Sequence, residues 1–565
     1  MQIKSQLNQL IQRACERAEI PAENVQVNEA GKPEFGDYQF NGAMALAKRL
    51  GRNPREIAQS IVEAIEENEM LDRVEIAGPG FINLHLRADW LAAGLDAAAR
   101  DERLGVGRFE TPRKVVVDYS SPNMAKQMHV GHLRSTIIGD SLANLFAFLG
   151  DEVIRQNHIG DWGTQFGMLI AYLEELGEGA EGSLHDLEEF YKAAKKRFDE
   201  DAAFADKSRE YVVKLQGGDV RCLHLWENFI DKSLGHCEEV YSKLHVKLTR
   251  EDVRAESSYN DDLEAIVKDL EAKGLLQESQ GAKVVFTEGE ENPLIIQKSD
   301  GGFLYATTDL AAIRFRVAQL GAKRISYVVD ARQAGHFQQV FTVARLAGYA
   351  PEDVQLEHVS FGMMLDKSGR PFKTRDGGTV KLIDLLEEAV ERAKGAITQR
   401  EAYSEEELEK IAEIVGIGAV KYSDLSINRE SNYIFDWDRM LSLEGNTSLY
   451  QQYAYARIRS IFRKYGGEVT GEVKIGDELE RRLALKLLQL EDVLRAAARE
   501  AMPHYITTYL YELATLFMKF YENNPILRED VPEDLRQSRL ILARCTAETL
   551  RLALEILGIK VLERL

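Results

Sequence analysis

A chain of 565 residues exceeds what one hydrophobic core usually organises, so several domains are expected. With 45% apolar and 29% charged residues it reads as an ordinary globular protein, and no apolar run is long enough to span a bilayer. The net charge of −21 argues against indiscriminate binding to nucleic acid. The acidic excess falls mostly on the central region, however, and the chain from about residue 449 onward is near neutral, which leaves room for a specific RNA-facing surface. Four cysteines (Cys15, Cys222, Cys237 and Cys545) stand far apart without CxxC spacing. That pattern speaks against zinc and against a disulfide scaffold, and predicts a reducing, cytoplasmic compartment.

In chain order, "MQIKSQLNQLIQRACERAEI" predicts an amphipathic helix rather than a signal peptide, because charges interrupt its apolar positions. "EIAGPGFINLHL" predicts a Gly/Pro turn followed by a half-buried strand. Residues 1–110 thus form an α+β region. From 111 to 399 strands alternate with helices, as in "KVVVDYS", "DEVIRQNHIGD" and "RISYVVDARQ". This predicts an α/β domain built on a doubly wound, Rossmann-like parallel sheet. Residues from about 177 to 247 are helical and charged, and read as an insertion between sheet elements. Residues 400–565 are almost all helix. Their apolar stripes predict an all-α domain with a core of its own.

"SSPNMAKQMHVGHLRST" lies where the first strand of the parallel sheet ends and a long helix begins. His129 and His132, three apart on the first turn, project to one side. Gly131 removes a side chain where a ligand must come close. A helix N-terminus, two imidazoles and the loop cation Lys126 together suit a phosphate whose charge changes during displacement. Two other readings compete: a His-x-x-His metal site, which lacks a nearby third ligand, and a pair of histidines satisfied within the core.

The long strings "SSPNMAKQMHVGHLRSTIIGD" and "NHIGDWGTQFGML" resemble the arginyl-tRNA synthetases, and "HVGH" resembles the HIGH signature of class I enzymes. The likeness spans nearly the whole chain. "FGDYQFNGAMALAKRLGRNP" resembles that family's N-terminal domain, "QKSDGGFLYATTDLAAI" its substrate-binding strand and helix, and "QQYAYARIRSI" and "LGIKVLERL" its anticodon-binding helical domain.

The resemblance implies activation of L-arginine by ATP and transfer to the 3′ end of arginine tRNA in translation. Mg²⁺ accompanies the ATP, held by phosphates and water. A monomer, no membrane and no zinc are expected. His129, Gly131, His132 and Met363 are implied at ATP. "MMLDKSGRPFKTRDGG" occupies the place of the KMSKS loop but departs from it, keeping Lys373 and Arg375. With that loop degenerate, Lys126 becomes a second candidate to neutralise pyrophosphate. Ser121, Asn123 and Gln333 are implied at the amino and carboxylate groups of arginine. Glu256 and Asp309, supported by Tyr305, are implied at the guanidinium, a planar fork best read by carboxylates. Asp118 is left open, as a strand end or a partner of Lys126.

Tyr38, Gln39 and Asn41 resemble residues that read a D-loop base. Tyr450, Tyr453, Tyr455, Arg457 and Arg459 interleave aromatics with cations, as suits unstacked anticodon bases. Both groups have a structural alternative as turn or core residues. The rival functions are a class I synthetase for another amino acid, a non-catalytic tRNA-binding paralogue and a small-molecule nucleotidyltransferase. The last would not need the helical third region.

Overall fold

The computed structural model describes residues 2–177, 187–373, 380–398 and 403–565. The first region begins with α1 (Ile3–Arg17), whose Ile3, Leu7, Leu10, Ile11 and Ala14 fall on one buried face. Then come β1 (Val27–Glu29), β2 (Tyr38–Phe40), α2 (Gly42–Leu50), α3 (Pro54–Glu63), β3 (Leu71–Ala77), β4 (Phe81–Leu86) and α4 (Ala88–Ala99). Asn53 caps α3 by accepting from Arg55 N, and Pro54 occupies the first helical position, where its missing N–H costs nothing. The four strands form an antiparallel sheet in the order β1-β2-β4-β3. The turn between β3 and β4 depends on Gly78 and Gly80, both at positive φ.

The central region contains β5 (Lys114–Asp118), α5 (Val130–Leu149), β6 (Glu152–Gln156) and α6 (Thr164–Leu176). A helical excursion follows: α7 (Leu187–Glu200), α8 (Ala202–Gln216) and α9 (Val220–Lys243). The chain continues through α10 (Asn260–Ala272), a small antiparallel sheet of β7 (Gln277–Ser279), β8 (Ala282–Val285) and β9 (Leu294–Gln297), and α11 (Tyr305–Ala318). It then returns as β10 (Arg324–Tyr327), α12 (Ala334–Leu346), β11 (Gln355–His358), β12 (Met364–Leu365) and α13 (Leu382–Thr398).

The main sheet has the order β11-β10-β5-β6, every pair parallel. Strand order reverses direction between β5 and β10, and a crevice opens at the carboxyl ends of the strands at such a switch point. β5 reads Val115-Val116-Val117, all fully buried, as expected for a strand covered on both faces. α5 runs through the centre of the molecule, and every residue from Leu133 to Phe146 is buried.

The C-terminal part is helical: α14 (Glu405–Leu425), a short strand β13 (Tyr433–Ile434) paired with β12, α15 (Trp437–Met440), α16 (Ser448–Tyr465), α17 (Glu478–Leu488), α18 (Leu490–Glu500), α19 (His504–Asn523) and α20 (Glu533–Ile556). The expectation of a separate core for these helices does not hold. One continuous apolar cluster joins residues of α1, α4, α5, α14 and α16–α20.

Polar contacts follow the same route. Arg481 of α17 clasps Asp37 with both terminal nitrogens, α17 packs on α4, and Lys4 N donates to Asp492 Oδ2 at 3.0 Å. Lys421 of α14, fully buried, donates to Leu244 O at 2.7 Å and Gly558 O at 2.6 Å. It thereby pins the end of α9 and the residues after α20 to one point beneath α5.

Candidate active site

A cleft of about 610 Å³ lies at the carboxyl end of the parallel sheet. It gathers Ser121, Asn123, Gly131, His132, Glu256, Tyr305, Asp309 and Gln333 from segments spread over two hundred residues of chain. Lys126, His129, Met363 and Lys373 are outside its lining, and Arg375 lies outside the described residues.

His129 is the N-cap of α5, and the cap fixes both imidazoles. Gly131 N donates to His129 Nδ1 at 3.0 Å, and His129 N donates to His132 Nδ1 at 3.1 Å. Each Nδ1 is an acceptor, so in the neutral ring each Nε2 carries the proton and is a donor. Burial lowers both from the ordinary imidazole range. His132 goes down to about 3, with His129 beside it adding to the effect. His129 is lowered by burial, which outweighs Glu188, and Lys126 pushes the same way. The rings lie 4.1 Å apart. Gly131 is needed for this arrangement, because a Cβ there would come within 2.7 Å of His129 Cε1.

The loop before the helix is held under local strain. Ser120, Ser121 and Ala125 all have positive φ, a region that L-residues with side chains rarely adopt. Side chains from elsewhere hold it there. Ser120 N donates to Ser135 Oγ, Ser121 N to Asn157 Oδ1, and Ala125 N to Ser233 Oγ of α9. Asn123 lies directly against Gly160, and any Cβ at 160 would overlap its Oδ1.

Asp118 does not pair with Lys126. It pairs with the fully buried Arg316 at 2.6 Å and accepts from Ser121 Oγ at 3.0 Å. Lys126 is exposed and points instead at α7, its Nζ 4.6 Å from the centre of the Tyr191 ring.

The opposite wall is acidic. α11 starts at Tyr305, so Tyr305 and Asp309 are one helical turn apart and line the same cleft. Asp309 accepts from His336 Nε2 at 2.6 Å. Glu256 opens a short 3₁₀ turn, and its carboxyl is pushed up to about 7 by burial, then by Asp161 and by Asp309. Among the described residues no cation and no hydrogen-bond donor reaches that carboxyl. The other carboxylates of this wall have partners. Asp330 holds Arg332, and Asp161 accepts from the backbone N and hydroxyl of Ser257. Gln333 caps α12. Sequence reasoning missed His336, His158, Tyr327 and Phe337 of the lining. The histidines stood in "NHIGD" and "GHFQQ", where a lone histidine carries no local signal.

Residues 380–382, just past the KMSKS-like stretch, are stitched to the HVGH segment. Val130 N donates to Val380 O, and Leu382 N to Met128 O. Met363 is 39% exposed, and its N donates to Asn432 Oδ1. Lys373 is exposed.

The structure changes the picture at three of the residues expected to contact RNA. Tyr38 is fully buried, its hydroxyl accepting from Gln489 Nε2 of the helical part, so its ring offers no face to a base. Gln39 is half-buried on Asn83 and Asn41 is exposed. Tyr455 is buried against Glu563, which Arg459 also holds, so these two serve the C-terminal tail. Tyr450, Tyr453 and Arg457 remain accessible. Arg457 donates to Tyr453 OH at 3.0 Å and lies over Tyr521. Among the described residues no cluster of three or more His, Cys, Asp or Glu could hold a metal ion, and no helix is long and apolar enough to cross a membrane.

Comparison with known proteins agrees along the length of the chain. Residues 2–86 match the arginyl tRNA synthetase N-terminal domain, 96–437 the catalytic domain of class I (R) tRNA synthetases, and 451–565 the DALR anticodon binding domain. The chain is 54% identical to an arginine–tRNA ligase of Cellvibrio japonicus, with all of both chains covered, and 54% identical to one of Alteromonas mediterranea, with 97% of each covered. Its backbone is similar to that of the Plasmodium falciparum arginyl-tRNA synthetase, with a TM-score of 0.90 at 32% identity, covering 100% of this chain and 99% of that one. It is also similar to the Thermus thermophilus arginyl-tRNA synthetase, with a TM-score of 0.85 at 27% identity over the whole of both chains. With a switch-point cleft that sets a histidine-capped helix opposite a carboxylate wall, and with matches to all three regions, the chain belongs to the arginyl-tRNA synthetases of class I.

Proposed function

We propose that this chain is an arginine–tRNA ligase whose cleft binds the guanidinium on its acidic wall and ATP at the N-terminus of α5. The observation that carries this reading is the single cleft holding both His132 and the pair Glu256 and Asp309. In the first step the arginine carboxylate attacks the α-phosphorus of ATP, the α–β bridging bond breaks, and pyrophosphate leaves. In the second, a hydroxyl of the 3′-terminal adenosine attacks the carbonyl carbon and AMP leaves.

The neutral imidazoles donate from Nε2 to phosphate oxygens at the positive end of the α5 dipole, whose first N–H groups are already engaged by Val380 O and His129. They need no charge for this, which suits their lowered basicity. Lys126, Lys373 and Arg375 are the cations available to neutralise pyrophosphate. Lys126 has to leave Tyr191 to do so. Mg²⁺ arrives with ATP, bound largely by phosphate and water. Ser121, Asn123 and Gln333 take the amino and carboxylate groups of arginine, with Tyr305 closing over the side chain. Met363 flanks the nucleotide.

Residues 1–110 serve tRNA through Gln39 and Asn41, 111–399 carry the chemistry, and 400–565 receive the anticodon at Tyr450, Tyr453 and Arg457. The enzyme acts as a cytoplasmic monomer. Pyrophosphate exchange measured with each amino acid, with and without arginine tRNA, tests the assignment. Arginine alone should support exchange, and only with tRNA present, as the family resemblance leads us to expect. Exchange driven by another amino acid would overturn the specificity, and robust exchange without RNA would overturn the tRNA requirement.

A further inference from the structure

Asp309 reaches the cleft already engaged. Its Oδ2 lies 2.6 Å from His336 Nε2, within hydrogen-bond reach. The two residues come from different helices, Asp309 from the second turn of α11 and His336 from the first turn of α12. The imidazole is itself well seated. It meets Phe337 edge-on at 5.4 Å, and Phe337 packs on Tyr327 at 4.9 Å and on His358 at 5.0 Å. Both side chains line the cleft and keep some access to it, 16% for Asp309 and 29% for His336.

An aspartate carboxyl turns in a broad torsional well, so packing alone leaves the direction of its two oxygens loosely set. A guanidinium is a rigid planar fork and is sensitive to that direction. One donor fixed on Oδ2 removes the freedom and leaves Oδ1 for a ligand. We propose that His336 is a positioning residue for arginine recognition, holding Asp309 so that Oδ1 faces the substrate guanidinium. His336 then acts through Asp309 and need not touch the substrate. The inference rests on the reading of Asp309 as a guanidinium partner.

A simple strut between α11 and α12 would have a different signature. It would lower thermal stability, or raise both substrate KM values together, without regard to which nitrogen the replacement offers. A glutamine places its amide nitrogen about where imidazole Nε2 lies, whereas the shorter asparagine falls short of it. Aminoacylation kinetics at saturating arginine tRNA should therefore separate His336→Gln from His336→Asn. His336→Asn and His336→Ala should raise the arginine KM roughly ten- to a hundredfold, with kcat and the ATP KM within about threefold of the parent. His336→Gln should stay within about threefold for all three constants. If His336→Ala does not fold, the Gln and Asn pair decides alone.

A parental arginine KM in His336→Asn would overturn the proposal. So would equal losses in the Gln and Asn variants, or arginine and ATP KM rising together. Asp309→Ala, measured alongside, keeps the two layers apart. An unchanged arginine KM there refutes the pocket reading itself. A raised KM there with a parental His336→Asn refutes the role of His336 alone.

Discussion

Arginine binding should release a proton, and Glu256 should be its source. In the empty cleft the Glu256 carboxyl is pushed up to about 7 by burial and by the nearby carboxylates Asp161 and Asp309. The charged groups around it are few. Asp309 is engaged by His336, Asp161 accepts from Ser257, and Arg254 is turned away, its guanidinium 3.6 Å from the centre of the Phe315 ring. A guanidinium needs the ionised carboxylate, so apparent affinity scales with the ionised fraction. For a group titrating near 7 that fraction is about one-tenth at pH 6 and about nine-tenths at pH 8. Arginine should therefore bind roughly tenfold more tightly at pH 8 than at pH 6, a difference of about 1.4 kcal/mol. About half a proton should be released at pH 7.

Stability carries the opposite sign. A raised folded-state value means that the native chain holds more protons than the unfolded chain between the ordinary glutamate range and about pH 7. The stabilising contribution is complete at acid pH and is lost as pH rises through 7. Glu256→Gln should then stabilise the empty enzyme at pH 8, by of order 2–3 kcal/mol, while weakening arginine binding. The assay is calorimetric titration with L-arginine in phosphate and in Tris, buffers of different ionisation enthalpy, from pH 6 to pH 8. An affinity for the parent that is flat across that range, with heats independent of buffer, would refute the reasoning. So would a Glu256→Gln variant that keeps the parental pH dependence.

Three further outcomes are expected. In single-turnover adenylate formation with saturating tRNA, Lys126→Ala should slow the step by roughly two orders of magnitude with little change in arginine affinity, the scale of one lost electrostatic donor. If the rate stays within a few-fold of the parent and Lys373→Ala collapses instead, the KMSKS-like loop carries the charge. Gly160→Ala should raise the arginine KM by about tenfold or more, because the new methyl displaces Asn123. A parental value would show that Asn123 does not contact the substrate. Lys421→Met should destabilise the protein by about 2–4 kcal/mol in denaturant melts, since it leaves two carbonyls without their buried donor. Burial lowers Lys421 to about 8, so the native chain binds fewer protons than the unfolded chain above that pH. The stability linked to Lys421 should rise between about pH 8 and the ordinary lysine range, and a melt that is flat there in the parent would remove the lysine from the balance.

What could be read from the sequence was local. The strand-to-helix turn at His129, the one-turn spacing of Tyr305 and Asp309 and the three parallel strands quoted at the outset all follow from periodicity within a dozen residues. Pairings between distant segments left no such mark. Nothing near Asp118 announces Arg316, 198 residues away, and so Lys126 looked like an equal candidate. Tyr38 in "DYQFN" has the composition of a stacking platform, yet its partner Gln489 lies 451 residues further on and buries it. His336 is one histidine in an ordinary helical start, and only the approach of α11 gives it a partner. The supposed independence of the helical region failed for a related reason. Apolar stripes show that a helix buries a face, but not against what.

The clasp between Arg481 and Asp37 also imposes an order on how the protein is made. Its halves are 444 residues apart. At synthesis rates of about 5–20 residues per second, the N-terminal region waits roughly 20–90 seconds before α17 emerges from the ribosome to cover α4 and neutralise Asp37. Through that interval the surface later sealed by the last helices stays open, and it is there that a chaperone would be expected to bind the nascent chain.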